Sequence, residues 1–368
     1  MEMLDILEKA LHQKASDIHI LPKLPPMVRV SGTLRPIDGY EPLTAEQTKN
    51  LVYSILYEEQ KQAFEKALEL DCSFDVPNLS RFRVNVLVNK DGVAAVLRII
   101  PSVIPTPEDL DLPSAVVDLT QLPRGLVLVT GPTGCGKSTT LACLIELINM
   151  HTEKHILTFE DPIEYAYDMK KCVINQREIG IHSRTFQAAL RHAMRQDPDV
   201  ILIGEMRDLE TIAIALTLAE TGHIVFATLH TTDAPQTIDR IIDIFPPYQQ
   251  TQIRMQLSVT LQAVVCQQLL PRADGQGRIA AREIMLRTPA IANLIRESKT
   301  HQIYSAIEMG TQFGMISLDK SLATLVQRGK ISKDAAMVKA NDPKTLESLL
   351  RSGTVTADVP RKNGPFRF

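Results

Sequence analysis

Eight consecutive residues, Gly131-Pro132-Thr133-Gly134-Cys135-Gly136-Lys137-Ser138, leave this chain few ways to fold. They match G-x-x-x-x-G-K-[ST] in full and stand between an apolar run, Leu126 to Thr130 (LVLVT), and a stretch of helical character from Thr139 to Met150. A turn of this kind works only where a strand ends and a helix begins. Glycines at 131, 134 and 136 allow backbone N–H groups to close around phosphates, and the helix N-terminus adds its dipole. Lys137 then reaches the β- and γ-phosphates, and Ser138 is placed to ligate Mg²⁺. Pro132, Thr133, Cys135 and Thr139 complete the expected nucleotide-binding set. A chance glycine turn before a helix is the plainer alternative.

Further apolar runs share this texture: His155 to Phe159 (HILTF), Val200 to Gly204 (VILIG) and Ile224 to Leu229 (IVFATL). Strands buried on both faces read as continuous hydrophobic stretches, so a doubly wound parallel α/β sheet is expected. In such sheets the ligand crevice lies beyond the carboxyl ends of the strands, and each run ends in polar residues. After HILTF come Glu160, Asp161 and Glu164. Carboxylates this close repel unless a cation, a base role or water accommodates them, and a hydrolytic site needs one to orient or deprotonate water. A solvated acidic turn is the plainer reading. After VILIG comes Glu205, where phosphate-loop enzymes usually carry Asp for the magnesium shell; one methylene longer, it can serve directly or through a bound water. Its plainer reading is an ion pair with Arg207. After IVFATL comes His230, a candidate γ-phosphate sensor or subunit-contact residue, with a satisfied strand-end histidine as the alternative. His223 stands at the other end of that run, about 23 Å away at roughly 3.3 Å per residue. The two imidazoles cannot share a metal, and an ordinary structural or inter-subunit role suits His223.

The first hundred residues read as a small α/β unit. Leu4, Leu7 and Leu11 recur at helical spacing, β-rich runs lie around Met27 to Val30, Phe82 to Val88 and Val93 to Ile100, and Thr44 to Leu68 is helical in character. Pro101, Pro105, Pro107 and Pro113 then block both helix and central strand, so residues 101–114 form a linker. The nucleotide-binding core occupies 115–285. The chain is mainly helical from about residue 280, with a helical subdomain over 286–352, Ser317 as the N-cap before Leu318, Leu322 and Leu325, and a frayed tail over 353–368. At roughly 100–200 residues per domain, a length of 368 residues accommodates this division.

A balance of 40 Lys+Arg against 43 Asp+Glu removes the simplest argument for a nucleic-acid binder. Five scattered cysteines with no C-x-x-C pair argue against a zinc clip or a disulfide framework. No apolar run approaches the roughly 20 residues that span a bilayer, and the start, Met1 to Asp5, lacks the regions of a secretory signal. The expectation is a cytoplasmic protein with reduced thiols that reaches a membrane only through a partner.

With the EDPIE box (Glu160 to Glu164), the DPDVILIGEMRD stretch (Asp197 to Asp208) and ETGHIVFATLHTT (Glu220 to Thr232) added to the phosphate loop, the chain resembles the secretion ATPase superfamily, and within it the type IV pilus retraction ATPases. SDIHI (Ser16 to Ile20), PPMVRVSGTLR (Pro25 to Arg35), RFRVN (Arg81 to Asn85), INQRE (Ile174 to Glu178) and TPAIANLIRE (Thr288 to Glu297) extend the likeness over nearly the whole chain. The resemblance implies a PAS-like N-terminal α/β domain, a RecA-like P-loop NTPase domain with a helical C-terminal extension, and a homohexameric ring that uses ATP and Mg²⁺ to power pilus retraction and twitching motility. It implies an inner-membrane pilus platform protein (PilC-like) as partner, with an accessory ATPase of the PilU type as a further one, and no nucleic acid. By motif position it assigns Lys137 and Ser138 to Walker A, Glu164 to the Asp box as catalytic base, Glu205 to an atypical Walker B, and His223 and His230 to the His box. Arg81, Arg83 and Arg98 match N-terminal-domain arginines that approach the phosphates; as planar guanidinium donors they equally suit ordinary ion pairs.

The chain departs from that pattern in places. Cys135 stands where relatives usually carry Ser; the size-conserving reading is bland, and the sharper one is a thiol sensitive to alkylation beside the phosphates. Ala292 occupies an Arg position, and Ser298 a frequent Gly position, of a C-terminal motif tied to retraction in the family. Pilus-assembly and type II secretion ATPases are the nearest rivals, disfavoured by the absence of a tetracysteine module, and an accessory retraction ATPase of the PilU type is the second, although GEMRD and TLHTT look more like the principal motor. A nucleic-acid translocase and a nucleotide-switched ring without turnover are the rivals of other classes.

Overall fold

In the computed structural model, which describes residues 2–30, 32–76, 79–100, 103–275 and 277–352, the chain divides into two compact units. Met1–Val103 with Glu164–Ala166 form one, and the other described residues from Ile104 onward form the second. Pro101 of the proline-rich stretch and the tail expected over 353–368 lie outside the described residues.

The first unit opens with α1 (Met3–His12), which buries Met3, Ile6, Leu7 and Ala10, an i, i+3, i+4, i+7 stripe that gives a helix one apolar face. Its six-stranded antiparallel sheet runs β3-β2-β1-β6-β5-β4, built from β1 (Asp17–Ile20), β2 (Met27–Val30), β3 (Thr33–Pro36), β4 (Glu69–Val76), β5 (Ser80–Asn89) and β6 (Gly92–Ile100). The expected helical stretch from Thr44 to Leu68 is two helices, α2 (Ala45–Tyr53) and α3 (Glu58–Ala67). The break has a local cause: each helix starts at an extended residue whose backbone N–H is taken by a glutamine three residues on, Thr44 by Gln47 and Tyr57 by Gln60.

In the second unit, apolar content on both faces makes the central strands: every residue of β7 (Gly125–Thr130), β10 (Val200–Ile203) and β11 (Ile224–Leu229) is buried. The short α4 (Ser114–Val117) precedes β7 and α5 (Lys137–His151) follows it; then come β8 (His155–Glu160), β9 (Val173–Glu178), α6 (Phe186–Ala193) before β10, α7 (Leu209–Glu220) before β11, α8 (Ala234–Asp243), α9 (Pro247–Thr260), β12 (Leu261–Pro271) and β13 (Arg278–Leu286). The sheet order is β13-β12-β7-β11-β10-β8-β9, parallel except for β13. The runs read from the sequence are the central β7-β11-β10-β8. Alternate strand residues face opposite layers. Val127, Val129, Leu202 and Phe226 pack with Leu141, Leu144 and Ile148 of α5, whereas Leu128, Ile201 and Val225 pack with α6, α7, α8 and α9. Helices cover both faces, which leaves the strand ends as the place for ligands.

One expectation needs correction. The chain is not helical from about residue 280, because β13 continues to Leu286. Its charged residues Arg282 and Glu283 disguise it as surface, yet both are buried, at 4% and 0% exposure. After β13 come α10 (Pro289–Arg296), α11 (Ile303–Met309), α12 (Leu318–Gln327), α13 (Lys333–Lys339) and α14 (Pro343–Ser352). Ser317 is the N-cap residue of α12, but its hydroxyl makes no capping bond. No helix among the described residues is long and apolar enough to cross a membrane.

Candidate functional site

Between β7 and α5 the backbone turns through Gly131, Gly134 and Gly136 at φ of +138°, +76° and +88°, the region only glycine enters at little cost. Lys137, the first residue of α5, folds its Nζ back to donate to the carbonyl oxygens of Gly131 (2.7 Å) and Pro132 (3.2 Å). An ammonium with three donors and no acceptor, held inside a ring of loop backbone, is ready to exchange carbonyl for phosphate oxygens. Beside the loop is a cavity of about 360 Å³ lined by Cys135, Thr139, Leu269, Arg272, Arg278 and Ile279.

The residue that sets the loop was not singled out from the sequence. Gln267 of β12 is 1% exposed. Its Nε2 donates to the Cys135 carbonyl (2.7 Å) and its Oε1 accepts from the Thr140 hydroxyl (3.0 Å). Its own backbone carbonyl would lie 2.3 Å from a Cβ at Gly131, so that glycine is required twice over. The signal was an amide interrupting the apolar run Val264-Val265-Cys266 and Leu269-Leu270, but its meaning depends on β12 lying beside β7. Cys135 is 3% exposed, and burial pushes its thiol up despite the nearby Lys137. A thiol that resists ionisation is a poor nucleophile, which favours the size-conserving reading of Cys135 over the alkylation-sensitive one.

Glu205 and His230 end up together, since β10 and β11 are neighbours in register. Glu205 Oε1 meets His230 Nε2 at 3.0 Å and Oε2 accepts from Arg207 at 2.8 Å. Burial raises the Glu205 carboxyl, but the Arg207 and His230 partners outweigh it and hold it below its ordinary value. The ion pair with Arg207 is thus present alongside the contact with His230. Both oxygens being engaged, Glu205 suits a metal held through water better than direct ligation. Among the described residues no group of three or more His, Cys, Asp or Glu could hold a metal by itself; the Ser138 hydroxyl, on the second residue of α5 just after the phosphate loop, fits Mg²⁺ bound mainly by phosphate oxygens.

The carboxylates at the end of β8 and beyond it part company. Glu160 is 8% exposed, its Oε1 accepting from Thr158 (2.7 Å) and Gln176 (3.1 Å), whereas Asp161 and Glu164 are exposed; Glu164 begins the segment that groups with the first unit. His223 lies at the foot of β11, its Nδ1 2.9 Å from the Leu218 carbonyl near the end of α7, and does not meet His230. In the first unit Arg81 bonds Ser73 (2.9 Å) and pairs with Asp75, Arg98 bonds Asp17 (3.0 Å), and exposed Arg83 lies opposite Arg98 in the ladder. Ala292 is buried on α10 beside Ile291 and Ile295.

Residues 2–306 match the family described as type II/IV secretion system protein. The Pseudomonas aeruginosa type IV pilus retraction ATPase PilT is 50% identical over 93% of this chain and 99% of its own length. The type IV pilus ATPase PilU of the same organism is 38% identical over 96% of this chain and 92% of its own. A crystal structure of the pilus retraction motor PilT with bound ADP superposes with a TM-score of 0.89 at 46% identity, covering 95% of this chain and 99% of that one. With a glycine loop, a lysine-headed helix and a strand-end carboxylate in the arrangement of a nucleotide site, this chain belongs to the type II/IV secretion system protein family and, within it, to the pilus retraction ATPases.

Proposed function

We propose that the protein is the cytoplasmic hexameric motor that hydrolyses ATP to withdraw pilin subunits from the base of a type IV pilus, acting on an inner-membrane platform protein. The observation that carries the catalytic part is the phosphate loop, with its left-handed glycines and Lys137 folded inside it. The 50% identity to a retraction ATPase, against 38% to PilU, supports the principal motor over the accessory one; an accessory ATPase of that second kind is a proposed working partner.

In this reading the loop N–H groups and Lys137 cradle the β- and γ-phosphates, Glu164 orients or deprotonates the attacking water, and His230 reports the γ-phosphate to Glu205. Ser138, and Glu205 through a bound water, would hold Mg²⁺, which would supply charge neutralisation on the phosphate oxygens. The resemblance further implies that Arg81, Arg83 and Arg98 of a neighbouring subunit approach the phosphates, which Arg81 and Arg98 would do by giving up Asp75 and Asp17. Positioning and electrostatic stabilisation supply most of the rate, as phosphoryl transfer asks little covalent chemistry of the protein.

Deleting the gene and scoring surface pili and twitching tests the motor role: hyperpiliated, non-motile cells are expected, and bald cells would mean assembly instead. For the base, Glu164→Gln should bind ATP while kcat falls at least about 100-fold; turnover at the wild-type rate would remove Glu164 from that role.

A further inference from the structure

A buried carboxylate that the catalytic reading does not use sits in the middle of β13. Glu283 is opposite Cys266 of β12 in the ladder and is fully enclosed, at 0% exposure. Its Oε1 accepts the backbone N–H of Ala234, the first residue of α8, at 2.8 Å. The N–H of Leu318, the first residue of α12, also favours its charged form, although Oε2 closes no hydrogen bond. Two helix N-termini thus face one carboxylate, and their positive ends stabilise an anion there.

Burial and the two nearby aspartates oppose the charge. Asp233 caps α8, Asp319 lies on α12, Tyr304 on α11 and Cys266 on β12, and burial keeps all of them above their ordinary values. Burial dominates for Glu283 too, with Asp233 and Asp319 adding to it, so its carboxyl is pushed up to about 7. The group therefore changes charge close to neutral pH while enclosed in protein.

Its location gives that proton a consequence. From Ala234 the chain runs back through Asp233, Thr232 and Thr231 to His230, which holds Glu205 at 3.0 Å. The link is stiff. The Asp233 side chain accepts from Gln236 N (2.8 Å), its carbonyl accepts from the Thr237 hydroxyl (2.7 Å), and that hydroxyl lies 2.6 Å from Thr231 Oγ1. Whatever holds Ala234 also holds His230.

We propose that Glu283 is a positioning residue for ATP hydrolysis: its carboxylate pins the His230 loop to β13 beneath the N-terminus of α12, and gaining a proton slackens that loop and slows turnover without weakening nucleotide binding. The proposal rests on the reading that His230 acts in the site. A neutral carboxyl is the weaker acceptor for the Ala234 N–H, and it no longer answers the two helix dipoles.

The test is steady-state ATPase activity of the full chain from about pH 6 to 8.5, with Glu283→Gln, Glu283→Ala and His230→Ala. Wild-type kcat should rise through a limb near pH 7 while KM for ATP stays within about two-fold. Glu283→Gln keeps an acceptor for Ala234 but cannot ionise, so its kcat should be flat across that limb and near the wild-type acid value. Glu283→Ala should lose about ten-fold in kcat with KM little changed. Thermal melting supplies a readout independent of activity. A carboxyl raised from 4.5 to about 7 on folding leaves the native state holding the extra proton, so wild type should lose stability relative to Glu283→Gln as pH rises across that window. A wild-type limb retained in Glu283→Gln, or full kcat in a folded Glu283→Ala, overturns the proposal. Should Glu283→Ala not fold, the Glu283→Gln profile decides alone. Full turnover in His230→Ala would instead sink the reading of the site on which the proposal stands.

Discussion

Gln267 shows how one side chain can decide whether a glycine loop is a binding site or only a turn. It ties the Cys135 carbonyl to the Thr140 hydroxyl, holding both ends of the segment that must present its N–H groups to phosphate. In Gln267→Leu both partners lose a buried hydrogen bond, each loss worth about 1–3 kcal/mol. Part of that falls on the folded state as a whole and part on the loop's readiness to bind. If about 1.4 kcal/mol appears in binding, KM for ATP rises roughly ten-fold, while kcat at saturation should fall much less. Kinetics over a wide ATP range check this; a loss confined to kcat would mean that Gln267 serves the transition state instead. Cys135 is the opposite case, a residue whose chemistry the fold suppresses. Enclosed and pushed above the ordinary thiol range, it should react with a thiol reagent no faster in the absence of nucleotide than in its presence. Mass spectrometry of the labelled peptide would show this, and rapid labelling that ADP prevents would restore the reactive-thiol reading.

Among the elements, α10 illustrates a family pattern turned into backbone geometry. The helix ends with Lys299 N bonded to Leu294 O (2.9 Å) and Ser298 N to Ile295 O (3.3 Å), the paired bonds of a Schellman motif. That motif needs a left-handed residue, and Ser298 fills the place at φ +59°, where the resemblance leads one to expect glycine. Left-handed backbone costs a side-chain-bearing residue about 1 kcal/mol, and glycine returns about half of that gain through a freer unfolded chain. Ser298→Gly should therefore stabilise by roughly 0.5 kcal/mol, read as a small rise in denaturation midpoint with an unchanged m-value; a lower midpoint would mean that the serine has a partner in the assembled state. The same scale explains what could be read in advance. β7, β8, β10 and β11 were legible because burial on both faces admits almost only apolar residues. β9, with Asn175, Gln176, Arg177 and Glu178, and β13, with Arg282 and Glu283, were not. Several of their polar groups find partners elsewhere in the chain, as when Arg282 donates to the carbonyls of Leu110 and Asp111. The meeting of Glu205 with His230 followed from their places at strand ends, whereas Gln267 and Glu283 acquire meaning only from strand order and register, which no local pattern carries.

At the scale of the molecule, the hydrophobic cores are partitioned. Met3, Ile18, Phe64 and Phe82 belong to the core of the first unit, while the layers on either side of β7 belong to the second. The phosphate loop joins β7 to α5, so the loop's share of nucleotide binding energy enters the folding equilibrium of the second unit. Ligand present at about 100 times its Kd adds about 2.7 kcal/mol to whatever unfolds with the site. For a unit of some 250 residues each kcal/mol moves the melting temperature by about 2–4 °C, so ADP should raise that transition by roughly 5–10 °C. Calorimetry is the suitable measurement, because a chain with no Trp offers little intrinsic fluorescence. Lys137→Ala removes the cation that the loop holds in its centre and should abolish most of the shift while leaving the ligand-free melting temperature within a few degrees of wild type, since its hydrogen bonds to Gly131 and Pro132 are partly exposed to water. An equal ADP shift in Lys137→Ala would place the nucleotide elsewhere in the chain and would detach the glycine loop from catalysis.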